Sequence, residues 1–322
     1  MRIGLTTTVP IEPILAGDHI PKDLNNIFIT SDNPEKYVVE AEIDGFPYNT
    51  CSWIKGLYSV AISEKMDAVI GVVRGDCSNT ESLLDFLEFK GIQVIPFSFP
   101  YDRKRSKLED EIKNMMEILG SDKNKLKDVI KNVQRARELA WKVDELTVED
   151  KVTGLENHYF LVNTSDFLGD LKKYISEIKN FINASRDRKR IDYNLRIGYI
   201  GVPPIFIDIY QFLAENSVHV VFNEVQRQFS MPFPDSDWIE KYLKYTYPYS
   251  VKERIMDINN EIKKRKIDGI IHYVQSFCHR QIIDYIIKDS IDVPVLTIEG
   301  NRPGKLDERT KIRIESFIDM LL

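Results

Sequence analysis

The sequence predicts an α/β protein with two similar Rossmann-like domains, each built on a parallel sheet, joined by a small helical region. Two observations predict this fold class. Short, continuous apolar segments alternate with helical patterns, which is typical of parallel strands covered by helices on both faces. The first and last thirds of the chain also repeat the same order of strands, turns and helices. At 322 residues the chain is long enough for two such domains.

Each domain is predicted to open on a short buried strand. Residues 2–5 read Arg-Ile-Gly-Leu, and residues 196–199 read Arg-Ile-Gly-Tyr. A Val-Pro pair follows each strand, at residues 9–10 and 202–203, and a helical pattern comes next, in the second case over residues 205–214. Both segments therefore predict a strand, a tight turn and a helix.

The second half of the repeat leads to a cysteine in both domains. One apolar segment leads from Asp67 to Cys77 and another from Asp268 to Cys278, and each cysteine stands ten positions after its aspartate. A helix is predicted after each cysteine, over residues 81–89 and 281–287, followed by a strand over residues 93–95 and 294–297. Cys77 and Cys278 are therefore predicted to occupy the same place in two equivalent domains.

The middle of the chain has a different pattern, rich in Lys and Glu and poor in glycine. Helical spacing predicts helices over residues 106–119, 123–146 and 164–184, interrupted near Gly120 and Gly154. A final helix is predicted over residues 307–321. We expect a first α/β domain over residues 1–102 with Cys51 and Cys77, a helical region over residues 103–190, and a second α/β domain over residues 191–322 with Cys278.

Composition and charge exclude several classes of protein. A hydrophobic fraction of 43% and a charged fraction of 29% are those of a globular chain. The net charge of -6 argues against nucleic acid as a partner. The sequence has neither a membrane-spanning segment nor a signal peptide, so we expect a cytoplasmic protein with reduced thiols. It also lacks a P-loop and a dinucleotide-binding fingerprint, so any ATPase must be a separate protein.

The three cysteines, Cys51, Cys77 and Cys278, are the main candidates for a functional site. Ligands of open parallel sheets bind beyond the carboxyl ends of the strands, where Cys77 and Cys278 are predicted to lie. Each thiol precedes a helical pattern, and residues 78–81 fit a capping box just after Cys77. The positive end of a helix dipole and its free N–H groups favour a thiolate and an anionic cluster. The pattern indicates an iron–sulfur cluster in a cleft between the domains.

Other interpretations of the cysteines stay open. A free cysteine is often a small buried apolar residue, although Cys77 and Cys278 follow the apolar segments rather than lie within them. Structural zinc usually shows closely paired ligands such as Cys-x-x-Cys, which the sequence lacks. Three thiolates are one fewer than a cubane usually has, so either one iron keeps an open position or two subunits combine their cysteines.

Four charged residues are candidates for a place near the cluster. Lys55, Arg74 and Arg280 lie close to the cysteines in sequence, where they would balance cluster charge or hold an anionic substrate. The alternative for each is a surface charge or a salt bridge. Glu224 follows a predicted strand over residues 218–222, so it would either face the cleft or cap a helix.

Several segments occur together, in order, along nearly the whole chain. They are Thr-Thr-Thr-Val-Pro at residues 6–10, Cys51 with Lys55 and Gly56, Cys77, Ser-Phe-Cys at residues 276–278, and the C-terminal segments 296–300 and 310–317. Together they resemble the family of 2-hydroxyacyl-CoA dehydratase and benzoyl-CoA reductase subunits. Residues 23–29 and 50–56 look most like the double-cubane cluster proteins of that family.

The resemblance implies Cys51, Cys77 and Cys278 as the ligands of an iron–sulfur cluster. The double-cubane branch implies a homodimer that holds an 8Fe-9S cluster and reduces a small molecule. The dehydratase branch implies one of two different subunits, each with a 4Fe-4S cluster, acting as a lyase on a CoA ester. Both branches imply a separate ATP-hydrolysing iron–sulfur activator. A third alternative is a non-catalytic carrier of clusters or electrons. The chain is short for this family, and its helical region is small.

Overall fold

The computed structural model describes residues 1–322, and the first sheet lies in the N-terminal third of the chain. Its four strands are all parallel and lie in the order β2-β1-β3-β4. They are β1 (Arg2–Leu5), β2 (Ile20–Asp23), β3 (Ala68–Arg74) and β4 (Gln93–Ser98).

The second sheet repeats this plan in the C-terminal third. Its four strands are also parallel, in the order β6-β5-β7-β8, so the predicted fold class is confirmed. They are β5 (Leu195–Gly201), β6 (Val218–Asn223), β7 (Gly269–Gln275) and β8 (Val295–Gly300).

The predicted internal repeat extends to single hydrogen bonds. The backbone N–H of Arg2 donates to Asp67 Oδ2 over 2.6 Å, and the N–H of Arg196 donates to Asp268 Oδ2 over 2.7 Å. In both sheets this bond fixes the start of the central strand against the segment that leads to a cysteine. The aspartates picked out by the sequence repeat are therefore equivalent in structure.

Helices of the first third cover both faces of the first sheet. A hydrophobic core of 15 residues joins one face to the second, third, fourth and fifth of these helices, and the fourth helix, which precedes β3, contributes more of its residues than any other helix. The helices are α1 (Glu12–Ala16), α2 (Leu24–Thr30), α3 (Pro34–Ile43), α4 (Ser52–Ser63) and α5 (Thr80–Phe89).

The helical region contains four helices, where the sequence pattern predicted three. They are α6 (Arg105–Ile118), α7 (Lys123–Val148), α8 (Gly154–Val162) and α9 (Leu171–Arg186). The predicted helix over residues 164–184 begins too early, because Phe167 and Leu168 have positive φ and form a turn. The missed helix α8 has a capping box between Thr153 and Glu156, which satisfies its first N–H groups.

The remaining helices follow β5 along the chain. These are α10 (Ile209–Glu215), α11 (Glu224–Phe229), α12 (Trp238–Lys244), α13 (Val251–Arg265), α14 (Asp284–Ser290) and α15 (Glu308–Leu321). The helix predicted over residues 205–214 begins later because Phe206 makes an extended bridge with Gly304. The helix predicted over residues 281–287 is a 3-10 turn over residues 279–283 followed by α14.

One large core joins the two halves of the molecule. It runs from the first sheet through the helical region to residues 225–249, which follow β6. At its centre the buried Arg137 donates to Glu12 Oε1 over 2.9 Å and to the Tyr242 hydroxyl over 2.6 Å, so α7 is tied to α1 and α12. The division at residues 102 and 190 remains a proposal: both positions lie in loops, whereas this core extends across them. Among the helices, none combines the length and the apolar character needed to cross a membrane.

Candidate functional site

The three cysteines line one cleft between the two sheets. Cys77 follows the end of β3 by three residues, and Cys278 follows the end of β7 by three residues. Cys51 is the residue just before α4. All three line a cleft of about 740 Å³ that is open to solvent and mostly apolar. The structure therefore brings together side chains that are up to 227 positions apart in sequence.

Each cysteine lies shortly before a helix or a 3-10 turn, and backbone N–H groups of that segment favour its thiolate. The N–H of Asn79 donates to Cys77 Sγ over 3.4 Å. The N–H groups of Trp53 and Ile54, in the first turn of α4, stabilise the thiolate of Cys51, and the N–H of Arg280 does the same for Cys278. The predicted capping box at residues 78–81 is wrong, because the N-cap of α5 is Asn79 and its side chain makes no capping bond.

Burial outweighs these N–H groups in the cysteine pKa values. Burial raises the pKa of Cys51 to about 12 and that of Cys77 to about 12, and it also raises the pKa of Cys278. Negative charge on Cys278 raises the pKa of Cys51, and negative charge on Cys51 or Cys278 raises the pKa of Cys77, as expected for thiols that line one cleft. Protonated thiols are therefore the stable form in the free protein, and a bound metal would displace protons.

The donor set fits a cluster better than a single ion. No three His, Cys, Asp or Glu side chains in the structure lie close enough together to hold one metal ion. A polynuclear iron–sulfur cluster carries its iron atoms apart from each other, so its thiolate ligands do not have to meet at one point. Three soft sulfur donors, N–H groups aimed at them and an apolar cleft are the environment that such a cluster requires.

Arg280 connects the two loops that carry Cys77 and Cys278. Its Nη2 donates to the carbonyl oxygen of Gly75 over 3.0 Å, and its Nη1 donates to the carbonyl oxygen of Tyr247 over 3.1 Å. The guanidinium lies over the Tyr247 ring, 4.3 Å from its centre. Its positive charge lowers the pKa of Cys278, opposing the effect of burial. Of the four charged candidates, Arg280 is the one that contacts a cysteine loop from the other half of the molecule.

Asp76 lies beside Cys77 under the same arginine. Its carboxylate accepts a hydrogen bond of 3.0 Å from the Tyr247 hydroxyl. Burial raises the pKa of Asp76 to about 6, against the opposing charge of Arg280. The Cys77 loop is thus held by Tyr247 and Arg280 from the second half of the chain.

The other three charged candidates lie outside the cleft. Lys55 is buried and its Nζ donates to Glu42 over 2.7 Å, which joins α3 to α4. Arg74 is exposed and lies over the ring of Tyr101. Glu224 is buried at the start of α11. Its Oε2 accepts hydrogen bonds from Arg254 over 2.7 Å and from the N–H of Gly201 over 2.9 Å.

Sequence reasoning missed several side chains that line the cleft, among them Asp23 and Trp53. Asp23 ends β2 and caps α2, where its Oδ1 accepts the N–H of Asn25 over 2.9 Å. The sequence analysis predicted no strand before Asp23, so no strand-end signal marked it. Trp53 offers no signal either, because only the packing of α4 against the second half of the chain places it in the cleft.

Comparison with known proteins agrees with this architecture. A family model described as 2-hydroxyglutaryl-CoA dehydratase, D-component, matches residues 6–321 of the chain. No curated protein is similar enough in sequence to count as a match. The matched residues include all three cysteines and every strand except β1. The chain belongs to the 2-hydroxyglutaryl-CoA dehydratase D-component family, whose members are components of dehydratases and reductases.

Proposed function

We propose that this chain is the iron–sulfur component of a low-potential reductase, with Cys51, Cys77 and Cys278 as the ligands of its cluster. In this proposal a homodimer holds an 8Fe-9S double-cubane cluster, a separate ATP-hydrolysing activator supplies electrons, and a small molecule is reduced. The observation that carries the proposal is the convergence of the three thiols on one cleft. A cytoplasmic location and the absence of nucleic acid and membrane partners belong to the same proposal.

The residues of the cleft have separate roles in this scheme. The cluster would supply electrons of low potential to a molecule in the cleft. The three thiolates would hold it, and the N–H groups of Trp53, Asn79 and Arg280 would stabilise their negative charge. The apolar side chains of Val225 and Phe229, which also line the cleft, would exclude water.

Substitution of single cysteines tests the proposal. Cys77→Ser removes one thiolate while keeping a side chain of similar size, so we expect loss of the cluster with a retained α/β fold. Ser78→Ala is the matched control, since Ser78 is exposed in the same loop. Iron content and far-UV circular dichroism are measured after anaerobic purification. Full iron content in Cys77→Ser would show that Cys77 is not a ligand.

The family model favours a second candidate function. Its description names the D-component of a dehydratase, so the chain is alternatively one subunit of a 2-hydroxyacyl-CoA dehydratase with a 4Fe-4S cluster. That function requires a different partner subunit and a CoA ester. Native mass after co-purification separates the two candidates, because the first predicts a homodimer and the second a complex of unlike chains.

A further inference from the structure

A second cavity lies beside the cleft, and we call it the side groove. It encloses about 1280 Å³ of space open to solvent, between α8 on one side and residues 203–210 on the other. The cleft and the side groove share five lining residues, which are Asn25, Asn26, Trp53, Val162 and Pro203. The two cavities are therefore neighbours, with Trp53 and Val162 between them.

The walls of the side groove are apolar and open. Leu155, Tyr159 and Ile207 are exposed by 53%, 45% and 57%, which is unusual for large apolar side chains that line one concave surface. Such a surface, with a few polar groups at fixed positions, is typical of a small-molecule site. The polar group of interest here is His158, on α8.

A chain of hydrogen bonds behind His158 determines which of its nitrogens carries the proton. Asn223 Nδ2 donates to the carbonyl oxygen of Gly154 over 2.9 Å and to Asn157 Oδ1 over 2.8 Å. These two acceptors fix the orientation of the Asn223 amide, so its Oδ1 must be an acceptor. The Tyr210 hydroxyl donates its single proton to this oxygen over 2.7 Å.

The Tyr210 oxygen then has only lone pairs for His158. It lies 3.2 Å from His158 Nδ1, so this contact is a hydrogen bond only if Nδ1 carries the proton. This assignment requires the Gln226 amide to be turned over. Its Nε2 lies 2.9 Å from Nδ1 while its Oε1 is buried without a partner. Turning the amide about its last bond brings Oε1 to Nδ1–H and gives that oxygen a partner.

The other ring nitrogen of His158 is consequently an unprotonated acceptor. Burial lowers the pKa of His158 to about 4, so the ring is neutral near pH 7. Its Nδ1 edge faces Tyr210 and Gln226 in the interior, and its Nε2 makes no hydrogen bond within the chain. Because the two nitrogens lie on opposite sides of the ring, the Nε2 lone pair is directed to the side groove.

We propose that the side groove binds the apolar body of the molecule that reacts in the cleft, and that His158 Nε2 accepts a hydrogen bond from a hydroxyl or N–H group of that molecule. The statement that the bound molecule reacts in the cleft rests on the proposed function. Binding in the side groove does not need the cluster. The ligand class that follows is a compact, largely apolar molecule with one hydrogen-bond donor.

The tautomer of His158 is tested first, on the iron-free full-length chain labelled with ¹⁵N-histidine. Long-range ¹H–¹⁵N correlation spectra distinguish the protonated from the unprotonated ring nitrogen. Loss of a cross-peak pattern in His158→Phe assigns the signals. We expect His158 to have a protonated Nδ1 and an unprotonated Nε2 at pH 7. The opposite tautomer would overturn the proposal, since Nε2 would then be a donor.

Ligand binding is tested with three probes of similar shape, by saturation-transfer NMR and by tryptophan fluorescence, to which Trp53 in the groove contributes. Benzyl alcohol and N-methylbenzamide each carry one donor, and benzyl methyl ether carries none. We expect at least one donor probe to bind about fivefold to tenfold more tightly than the ether, as the loss of one hydrogen bond predicts. His158→Phe should remove this preference. Tyr285→Phe is the control, since Tyr285 is 78% exposed and lies outside the side groove, and it should keep the preference.

Two outcomes would contradict the inference. One is equal binding of the ether and both donor probes to the unsubstituted chain. The other is that none of the three probes binds at millimolar concentration. The chain is free of iron in these measurements. A negative result would therefore not contradict the assignment of Cys51, Cys77 and Cys278 as cluster ligands. Conversely, loss of the cluster proposal through iron analysis would not alter the preference for donor probes.

Discussion

Arg280 donates a hydrogen bond of 3.0 Å from its Nη2 to the carbonyl oxygen of Gly75, and these two residues belong to opposite halves of the molecule. Gly75 precedes Cys77 by two residues, and Arg280 follows Cys278 by two residues. The bond therefore sets the distance between the loops that carry two of the three proposed cluster ligands. The consequences of this geometry can be measured.

The first prediction concerns the two hydrogen bonds that the Arg280 guanidinium donates to separate carbonyl oxygens. In Arg280→Lys the positive charge remains, but one ammonium cannot reach the separate carbonyl oxygens of Gly75 and Tyr247 that the guanidinium contacts. We expect the reconstituted protein to lose iron to a chelator about tenfold faster, as loss of one or two hydrogen bonds predicts. Arg74→Lys is the control, because Arg74 is exposed and makes no such bridge. Equal rates for the two variants would show that charge alone matters at Arg280.

The second prediction concerns the backbone of Gly75. Its φ is +107°, and a Cβ there would lie 2.8 Å from Pro248 Cβ. Gly45 has φ of +108° with nothing within 4 Å of such a Cβ, so Gly45→Ala carries the same backbone strain without the clash. We expect Gly75→Ala to lower the free energy of unfolding by about 1–3 kcal/mol more than Gly45→Ala, measured in urea. Equal losses in the two variants would show that the Cys77 loop can move away from Pro248.

The third prediction concerns Glu224, which the sequence offered as either a cleft residue or a helix cap. The structure pairs it with the buried Arg254, so Glu224→Gln leaves an unpaired buried charge. We expect the free energy of unfolding to fall by about 3 kcal/mol, with iron bound normally by the folded fraction. Glu145→Gln removes one partner of an exposed pair with Lys142 and should change stability by less than about 1 kcal/mol. A stable Glu224→Gln protein that does not bind iron would instead place Glu224 in the site.

The fourth prediction concerns pH and the buried carboxyl of Asp166. Burial, together with the nearby charge of Asp23, raises the pKa of Asp166 to about 7. A raised pKa means that the folded state holds the proton more tightly than the unfolded state. Its contribution to stability is therefore complete below about pH 4 and is lost as the pH rises through about 7.

Asp166→Asn should remove this pH dependence. Its Oδ2 accepts the N–H of Asp23 and its Oδ1 accepts the N–H of Leu168, so the variant is less stable than the original protein at pH 4. The unfolding free energy of the original protein exceeds that of Asp166→Asn at pH 4. We expect this difference to shrink by roughly a few kcal/mol between pH 4 and pH 8. Asp128→Asn, on the exposed side of α7, should show a constant difference. A constant difference for Asp166→Asn as well would contradict the raised pKa.

The sheets and the two strand-end cysteines were predictable because their signals are local. Continuous apolar segments such as residues 68–72 require burial on both faces, and that requirement fixes a parallel strand under helices. The repeat then places Cys77 and Cys278 at equivalent sheet edges, and the structure brings them to one cleft. Local sequence was sufficient here because strand, turn and helix follow one another directly.

The side groove was not predictable, because tertiary packing creates it. Gly154 was interpreted as a break, whereas Thr153 and Glu156 cap a helix that begins there and carries His158. The interaction of His158 with Tyr210 depends on how α8 packs against β6 and α10, which no local pattern encodes. For Arg280 only part was predictable. Its closeness to Cys278 in sequence made it a candidate, but its partner Gly75 lies 205 residues away, so their hydrogen bond could not be predicted from local sequence.

Iron and acid-labile sulfide per subunit, with the native mass, test the central claim most directly. The protein is purified and reconstituted without oxygen. We predict a dimer with about four irons per chain and about nine sulfides per dimer, whereas one cubane per subunit would give about eight sulfides. A protein that binds no iron under these conditions would contradict the claim. Cys51, Cys77 and Cys278 would then be packing residues of a scaffold that resembles its family in fold alone.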